Sequence, residues 1–416
     1  MKVLVCHNYY QQRGGEDQLF EDEAKLLEAN GHDVYWHTVH SDSIQGRNLL
    51  KVAANTIWNR SEYERMLEVI ESHRPDVLHA VNTFPLLSPS IFYAARKANV
   101  PVVATIQNYR YFCAQAMCFR NNQACQKCLG KIPWRAVVHG CYRNSRLGSG
   151  VVAAMQMFHR YRQTWNTMID VICIASEFSR NKLISAGMDG SKMMLKPNFA
   201  PSDPGHRKGE GGYAVFVGRL ADEKGVPTLV DAWERLQATG LKIPLKIIGD
   251  GPSCDTVNRL QNKYENVQWL GKLANPEVYE WVGNASCLVF PSAGYESLPK
   301  TLIESMAVGT PVVGANIGSI PEVVFDNETG YLFPVGDPEG LADAVQKLFE
   351  HESFTRLTMR ERCRQEFETR FKRETNYLAL IDIYKEAIRR RANISSDTIP
   401  DDASDSAFPY NVGTNE

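Results

Sequence analysis

Short apolar runs alternate with longer amphipathic stretches along most of the chain. "KVLVCHN" reads as a buried strand, and "EDQLFEDEAKLLEANG" as a helix closed by Gly31. "DVYWHTV", "PDVLHAVN", "PVVATIQNY" and "DVICIAS" continue the strand series, with helical patterns such as "LSPSIFYAARKANV" between them. Strands alternating with helices predict an α/β fold with a parallel, doubly wound sheet. The segment Lys196 to Gly212, rich in Pro, Gly and charge, reads as a linker, after which the pattern restarts. "YAVFVGRL", "PLKIIGDG", "VQWLG", "SCLVFPS", "PVVGANI" and "GYLFPVGD" predict a second open sheet of similar size. A long amphipathic helix follows near "RETNYLALIDIYKEAIRRR", and the end is polar, acidic and weakly periodic. The expected division is a first α/β domain over 1–197, a second over 198–370, a helix over 371–393 returning to the first, and a disordered tail over 394–416.

Length supports two units, because 416 residues exceed one comfortable core. With 44% apolar and 23% charged residues the composition is ordinary for a globular protein. No apolar run approaches the roughly 18 residues of a membrane span. The opening "MKVLVCHNYY" lacks the pattern of a signal peptide, and the ten cysteines are scattered, so a reducing cytoplasm is the expected compartment. The net charge of −2 conceals an asymmetry: no acidic residue lies between Asp76 and Asp170, while Arg96, Lys97, Arg110, Arg120, Lys127, Lys131, Arg135, Arg143, Arg146, Arg160 and Arg162 do. This basic 77–169 region suggests an anionic partner, either phosphates or an acidic membrane surface, against the plainer reading of a solvated face. No helix-turn-helix, zinc-finger or RNA-recognition pattern accompanies it, so nucleic acid is not expected.

The stretch "GYESLPKTLIESMAVGTPVV" sets Glu296 and Glu304 eight residues apart around Pro299. Proline suits a first helical turn, which puts Glu296 in the preceding loop and Glu304 inside the helix. Eight helical steps would span about 12 Å, too long for one metal ion and longer than the roughly 5–9.5 Å of a glycosidase carboxyl pair. The helix start between them offers free N–H groups to an anion. The spacing fits a long ligand with hydroxyls at its ends and phosphate between, and equally two ordinary surface glutamates. In "FVGRLADEKG" Arg219 and Lys224 follow a strand end, where they could meet phosphate oxygens or simply solvent. Gly14 and Gly15 in "YYQQRGGEDQ" would admit a close phosphate or form a mere turn.

Together, "FVGRLADEKGVPTLVDAW", "IIGDGP", "WLGKL", "GYESLPKTLIESMAVGTPVVGANIGSIPEVV" and "YLFPVGDPEGLADAV" resemble, in order and spacing, the retaining glycosyltransferases of family 4. "RGGED", "NYRYFC" and "KPNF" extend the resemblance over about residues 1–390. It implies the GT-B fold, two Rossmann-like domains facing across a cleft, and a hexosyl transfer from a UDP- or GDP-linked sugar to a glycan or polyprenyl-diphosphate-linked acceptor, of the bacterial surface-polysaccharide type. By the same resemblance Arg219, Lys224 and Glu296 form the catalytic group. Glu296 would meet the donor sugar, Glu304 the ribose, and Arg219 and Lys224 the diphosphate. Gly14, Gly15, Gln107, Ser297, Leu298 and Thr301 would line the donor site, with Gly271 and Lys272 near the base. No enzymic nucleophile is implied, since retention in this family is ascribed to front-face attack assisted by a donor phosphate oxygen. Cations and helix dipoles can stabilise the leaving diphosphate, and no D-x-D motif occurs, so no catalytic metal or other cofactor is expected. Where many members carry a histidine near the sugar this chain has Gln107, which can hydrogen-bond a hydroxyl but cannot carry a proton.

Cys113, Cys125, Cys128 and Cys141 fall in the acid-free region, and a C-x2-C pair flanked by single cysteines could bind structural zinc. Free thiols are the alternative. The segment "PWRAVVHGCYRNSRLGSGVVAAMQMFHRYRQTW" mixes arginines, aromatics and apolar residues, as a patch touching anionic lipid would, and relatives that act on lipid-linked acceptors suggest a place on the inner membrane face. His79 and His139 read as structural. The rival readings are a nucleotide-sugar epimerase or phosphorylase on the same fold, and a non-catalytic nucleotide-sugar-binding protein.

Overall fold

The computed structural model describes residues 1–396; the tail anticipated at the end of the chain lies, from residue 397 on, outside them. The first sheet contains β1 (Lys2–Tyr9), β2 (Asp33–His40), β3 (Val77–Asn82) and β4 (Val102–Ile106). A short hairpin follows, β5 (Phe119–Arg120) and β6 (Gln123–Ala124), and then β7 (Val171–Ile174) and β8 (Met193–Leu195) complete the sheet in the order β2-β1-β3-β4-β7-β8. The second sheet contains β9 (Ala214–Val217), β10 (Leu245–Ile248), β11 (Val267–Gly271), β12 (Cys287–Phe290), β13 (Val312–Ala315) and β14 (Gly330–Phe333), in the order β11-β10-β9-β12-β13-β14. Every pairing in both sheets is parallel. The unbroken apolar runs are explained by this: with helices on both faces, each central strand is buried on both sides.

The two strand orders place the clefts. In the second sheet the order reverses between β9 and β12, and in the first between β1 and β3. At such a point the helices leave in opposite directions and open a crevice beyond the carboxyl ends of the strands.

The helix Arg373–Ser396 lies against the first sheet. Its Leu380, Ile383, Tyr384 and Ala387 are buried with Val3, Val5, Val77, Val103 and Val171. Tyr384 bonds His79 Nδ1 at 2.8 Å, and Thr105 meets the other ring nitrogen at 2.7 Å. Burial pushes the His79 pKa down to about 4, so this ring is a neutral core residue. Near the helix end Arg391 donates to Asp170 at 2.5 Å.

Residues 197–212 have no regular secondary structure, yet they are not a loose tether. Lys196 is buried in an ion pair with Glu23, and Phe199 is buried with Leu19 and Leu26. Farther along, Arg360 donates to the carbonyl of Arg207 at 2.9 Å and of Gly283 at 2.7 Å. Proline and glycine keep this backbone irregular, while its few apolar and cationic side chains pin it. Replacing Leu380 by alanine, which opens a cavity between the last helix and the first sheet, should cost about 2–5 kcal/mol. Urea unfolding should show a lower midpoint with an unchanged slope.

Candidate functional site

The loops leaving β9 and β12 meet at the reversal point of the second sheet. Gly225 makes this possible: its φ is +77°, and a Cβ there would stand 1.8 Å from the carbonyl oxygen of Pro291. The carbonyl of Glu223 accepts hydrogen bonds from the amides of Ala293 at 3.0 Å and Gly294 at 3.1 Å. Two loops distant in sequence are thereby fused into one surface. On it Lys224 Nζ donates to Glu296 Oε1 at 2.6 Å, and Ser292 Oγ donates to the same oxygen at 2.8 Å. Among the described residues Glu296 Oε2 receives no hydrogen bond, although the side chain is almost buried. Arg219, half-exposed, pairs with Glu223.

The helix Lys300–Val308 begins directly after this loop, with Pro299 at its cap and Thr301 in its first turn. Lys300 Nζ crosses to Asp22 Oδ2 at 2.5 Å, on the helix Gly15–Ala29 of the first domain, and Gln18 donates to the other oxygen at 2.8 Å. Glu304 lies one turn farther on, half-buried, its pKa raised by burial against the opposing pull of Lys300. Its carboxylate makes no hydrogen bond to any described residue.

From the first domain, Gln107 forms a reciprocal amide pair with Asn198, at 2.9 and 3.1 Å, and Asn198 donates to the carbonyl of Leu298 at 2.7 Å. Tyr109 shares a hydrogen bond with Ser179 Oγ at 2.8 Å and donates to the carbonyl of Glu296 at 3.3 Å; Ser179 reaches Ser297 at 3.3 Å. The fold thus brings Lys224, Glu296, Ser297, Leu298 and Gln107 into one connected group. Gly14 and Gly15 open the helix that carries Asp22, with nothing within 4 Å of a Cβ at either. Gly271 ends β11, two strands away from β9, and the exposed Lys272 follows it. Asn198, Ser292, Tyr109 and Lys300 were not singled out in the sequence. Asn198 sits in "KPNF" and Lys300 between the two glutamates, but only the tertiary fold shows what they touch.

Of the two readings of the cysteines, structural zinc or free thiols, the structure favours free thiols. Among the described residues no three histidine, cysteine, aspartate or glutamate side chains lie where they could hold one metal ion. Cys113 is engaged instead by the Cys118 thiol, whose hydrogen bond draws the Cys113 pKa down to about 6, while Cys128 and Cys141 pack against the cluster of Phe84 and Ala136. Cys125 keeps its thiol free, and its amide donates to the carbonyl of Cys118 at 2.6 Å.

The Glu304 shift has a stability consequence. A carboxyl whose pKa is higher folded than unfolded favours folding below the ordinary glutamate range and disfavours it as pH rises through the folded value. Glu304→Gln should therefore raise the melting temperature of the unliganded protein at pH 8, with the gain shrinking toward pH 4. A series of thermal melts across that range measures it.

Residues 211–351 match the family described as glycosyl transferases group 1. Along nearly its whole length the chain is similar to an uncharacterized glycosyltransferase, MJ1178, of Methanocaldococcus jannaschii, at 23% identity over 398 residues, 93% of this chain and 98% of the other. It is 31% identical over 182 residues to the N-acetyl-alpha-D-glucosaminyl L-malate synthase of Bacillus anthracis, spanning 43% of this chain and less than half, 46%, of that relative. Among solved structures, Anabaena Alr3699/HepE in complex with UDP and glucose superposes with a TM-score of 0.62 at 17% identity, over 92% of this chain and all but 1% of the other, which is 99% covered. The sucrose-phosphate synthase of Thermosynechococcus elongatus does so with a TM-score of 0.68 at 16% identity, over 95% of this chain and 100% of that one. Two parallel-sheet domains, a group 1 match on the second and whole-length likeness to such proteins make this chain a glycosyltransferase of the GT-B fold.

Proposed function

We propose that the chain moves a sugar from a nucleoside-diphosphate sugar, UDP-linked in the first instance, to a glycan or lipid-linked acceptor in surface-polysaccharide synthesis. The observation that carries this reading is the Lys224–Glu296 pair at the reversal point of the second sheet. One carboxylate oxygen is held by Lys224 and Ser292, which leaves the other to accept from a sugar hydroxyl. Lys224 then stands between sugar and diphosphate, and the start of the helix Lys300–Val308 offers its free N–H groups to the same anion. Arg219 can swing from Glu223 to the phosphates, since half of its surface is open. As the anomeric bond breaks, these groups meet the negative charge that develops on the leaving diphosphate, with little rearrangement. Glu304, one helical turn on and free of other partners, is the residue for the ribose. UDP is preferred because HepE has been solved with UDP and with UDP-glucose.

A lipid-linked acceptor is supported by the surface of the first domain. Ile132, Trp134, Val138, Leu147 and Tyr161 are exposed apolar side chains interleaved with Lys131, Arg135, Arg143, Arg146, Arg160 and Arg162. The helix Leu49–Ile57 packs beside the helix Arg146–Tyr161 and adds Leu49 and Leu50, 74% and 81% exposed. Apolar side chains ringed by cations suit an anionic bilayer surface. No described helix is long and apolar enough to cross a membrane.

Two measurements test the reading. In a thermal-shift panel of UDP, GDP, ADP and their sugar conjugates, one nucleotide family should stabilise by about 2.7 kcal/mol at 100 times its Kd. Arg219→Ala should weaken that response, and no shift with any nucleotide would sink the donor site. In sedimentation with vesicles, phosphatidylglycerol mixed with phosphatidylcholine should capture the protein where phosphatidylcholine alone does not. Leu147→Ser should weaken capture about tenfold, and equal capture by both vesicle types would remove the anionic-surface argument.

A further inference from the structure

Lys224, Arg219 and Lys300 are each held by a carboxylate, but not in the same way. Lys224 pairs with Glu296 and Arg219 with Glu223, both within the second domain. The partner of Lys300 is Asp22, on the helix Gly15–Ala29 of the first domain. This pair is nearly closed to solvent, with 11% of the Lys300 side chain and 6% of the Asp22 side chain exposed. Gln18 donates to the second Asp22 oxygen at 2.8 Å, which fixes the carboxylate. Among the described residues Asp22 is the only hydrogen-bond partner of the Lys300 ammonium.

Lys300 is also the first residue of the helix Lys300–Val308, whose start has no side-chain cap. Cα–Cβ bonds in a helix tilt toward its N-terminus, so the Lys300 stem leans toward that uncapped start. An anion seated there lies within the sweep of the ammonium. A diphosphate offers more charge than one carboxylate, and its oxygens accept charge-assisted hydrogen bonds. Asp22 faces the same space. Burial is the main cause of the raised Glu304 pKa, Lys300 opposes it, and the Asp22 charge adds to it. Asp22, Lys300 and Glu304 therefore sense one another where the ribose and diphosphate of a nucleotide would meet.

We propose that Lys300 is a third cation for the donor diphosphate, and that Asp22 lowers donor affinity by holding Lys300 until the diphosphate takes it. The proposal rests on the glycosyl-transfer reading above and adds to it one binding residue, Lys300, and one residue acting through it, Asp22. Donor entry breaks the Lys300–Asp22 contact and leaves Asp22 with Gln18, so binding to the second domain releases a tie to the first. An ion pair that merely joined the domains, and persisted with the donor bound, would make the opposite prediction for Asp22.

The test is calorimetric titration of the full chain with UDP, GDP and ADP, each beside its parent nucleoside. Lys300→Met should weaken the bound diphosphate about tenfold and leave the nucleoside unchanged. Asp22→Asn should tighten the diphosphate about fivefold, again without moving the nucleoside. In the double variant the Asp22 substitution should have no further effect. Lys300→Arg should keep most of the affinity, and thermal melts show that each variant is folded. Weaker or unchanged diphosphate binding by Asp22→Asn would overturn the proposal, as would unchanged binding by Lys300→Met. Equal losses of diphosphate and nucleoside would overturn it too. If wild type binds none of the three diphosphates, the donor reading fails and the proposal with it, an outcome seen before any variant is made.

Discussion

The contact on which the site depends is between two backbones. The β9 and β12 loops approach so closely at Gly225 that no side chain fits, and the Glu223 carbonyl gathers the amides of Ala293 and Gly294. Everything charged is arranged on top of that fusion. Lys224 and Glu296, separated by 72 residues, meet only because their loops share these hydrogen bonds. A buried ion pair is a costly element unless further hydrogen bonds complete it. Here Ser292 completes one oxygen, and the other stays available. The pair is therefore a device for presenting a carboxylate oxygen at a fixed place rather than a source of stability.

Around this fixed point the two domains are held by polar contacts of modest size. Lys300 reaches Asp22, Gln107 pairs with Asn198, and the Tyr295 amide donates to the carbonyl of Met117 at 2.9 Å. Each joins a residue of one half to a loop or helix end of the other. Several of these groups, Lys300 above all, stand where an anion at the start of the helix Lys300–Val308 would compete for them. The unliganded arrangement is thus satisfied, with its cations already neutralised by carboxylates, and a ligand must exchange those partners rather than enter a vacant field.

Much of this architecture was legible in the chain. The six apolar runs of the second half are the six strands observed, because a parallel sheet covered on both faces needs unbroken hydrophobic segments. Pro299 marked the helix start that separates Glu296 from Glu304. The short strand Met193–Leu195 was invisible for the complementary reason: three residues carry too little periodicity. The segment 197–212 looked like a tether because its composition is that of a loop, and composition says nothing of Phe199 being buried or of Arg360 gripping the backbone. In the site, Lys224 and Glu296 stood out by type and position, whereas Asn198 and Ser292 are small polar residues with no pattern around them. For the cysteines the sequence left structural zinc and free thiols both open. Cys118, an extra thiol in the middle of the run, takes Cys113 for itself.

The chain passes between the two halves twice, once after Leu195 and again before Arg373, and the passages lie side by side, with the Ala200 amide donating to the Phe371 carbonyl at 3.3 Å. Two adjacent covalent crossings define a single line. Translation along the cleft would have to shear that hydrogen bond, while rotation about the line would leave it nearly intact. Rotation about that line is the relative motion that this hydrogen bond opposes least. The farther a group lies from that line, the larger its travel for a given angle, so a sugar-binding loop at the rim would sweep widely while the strands next to the line stay still.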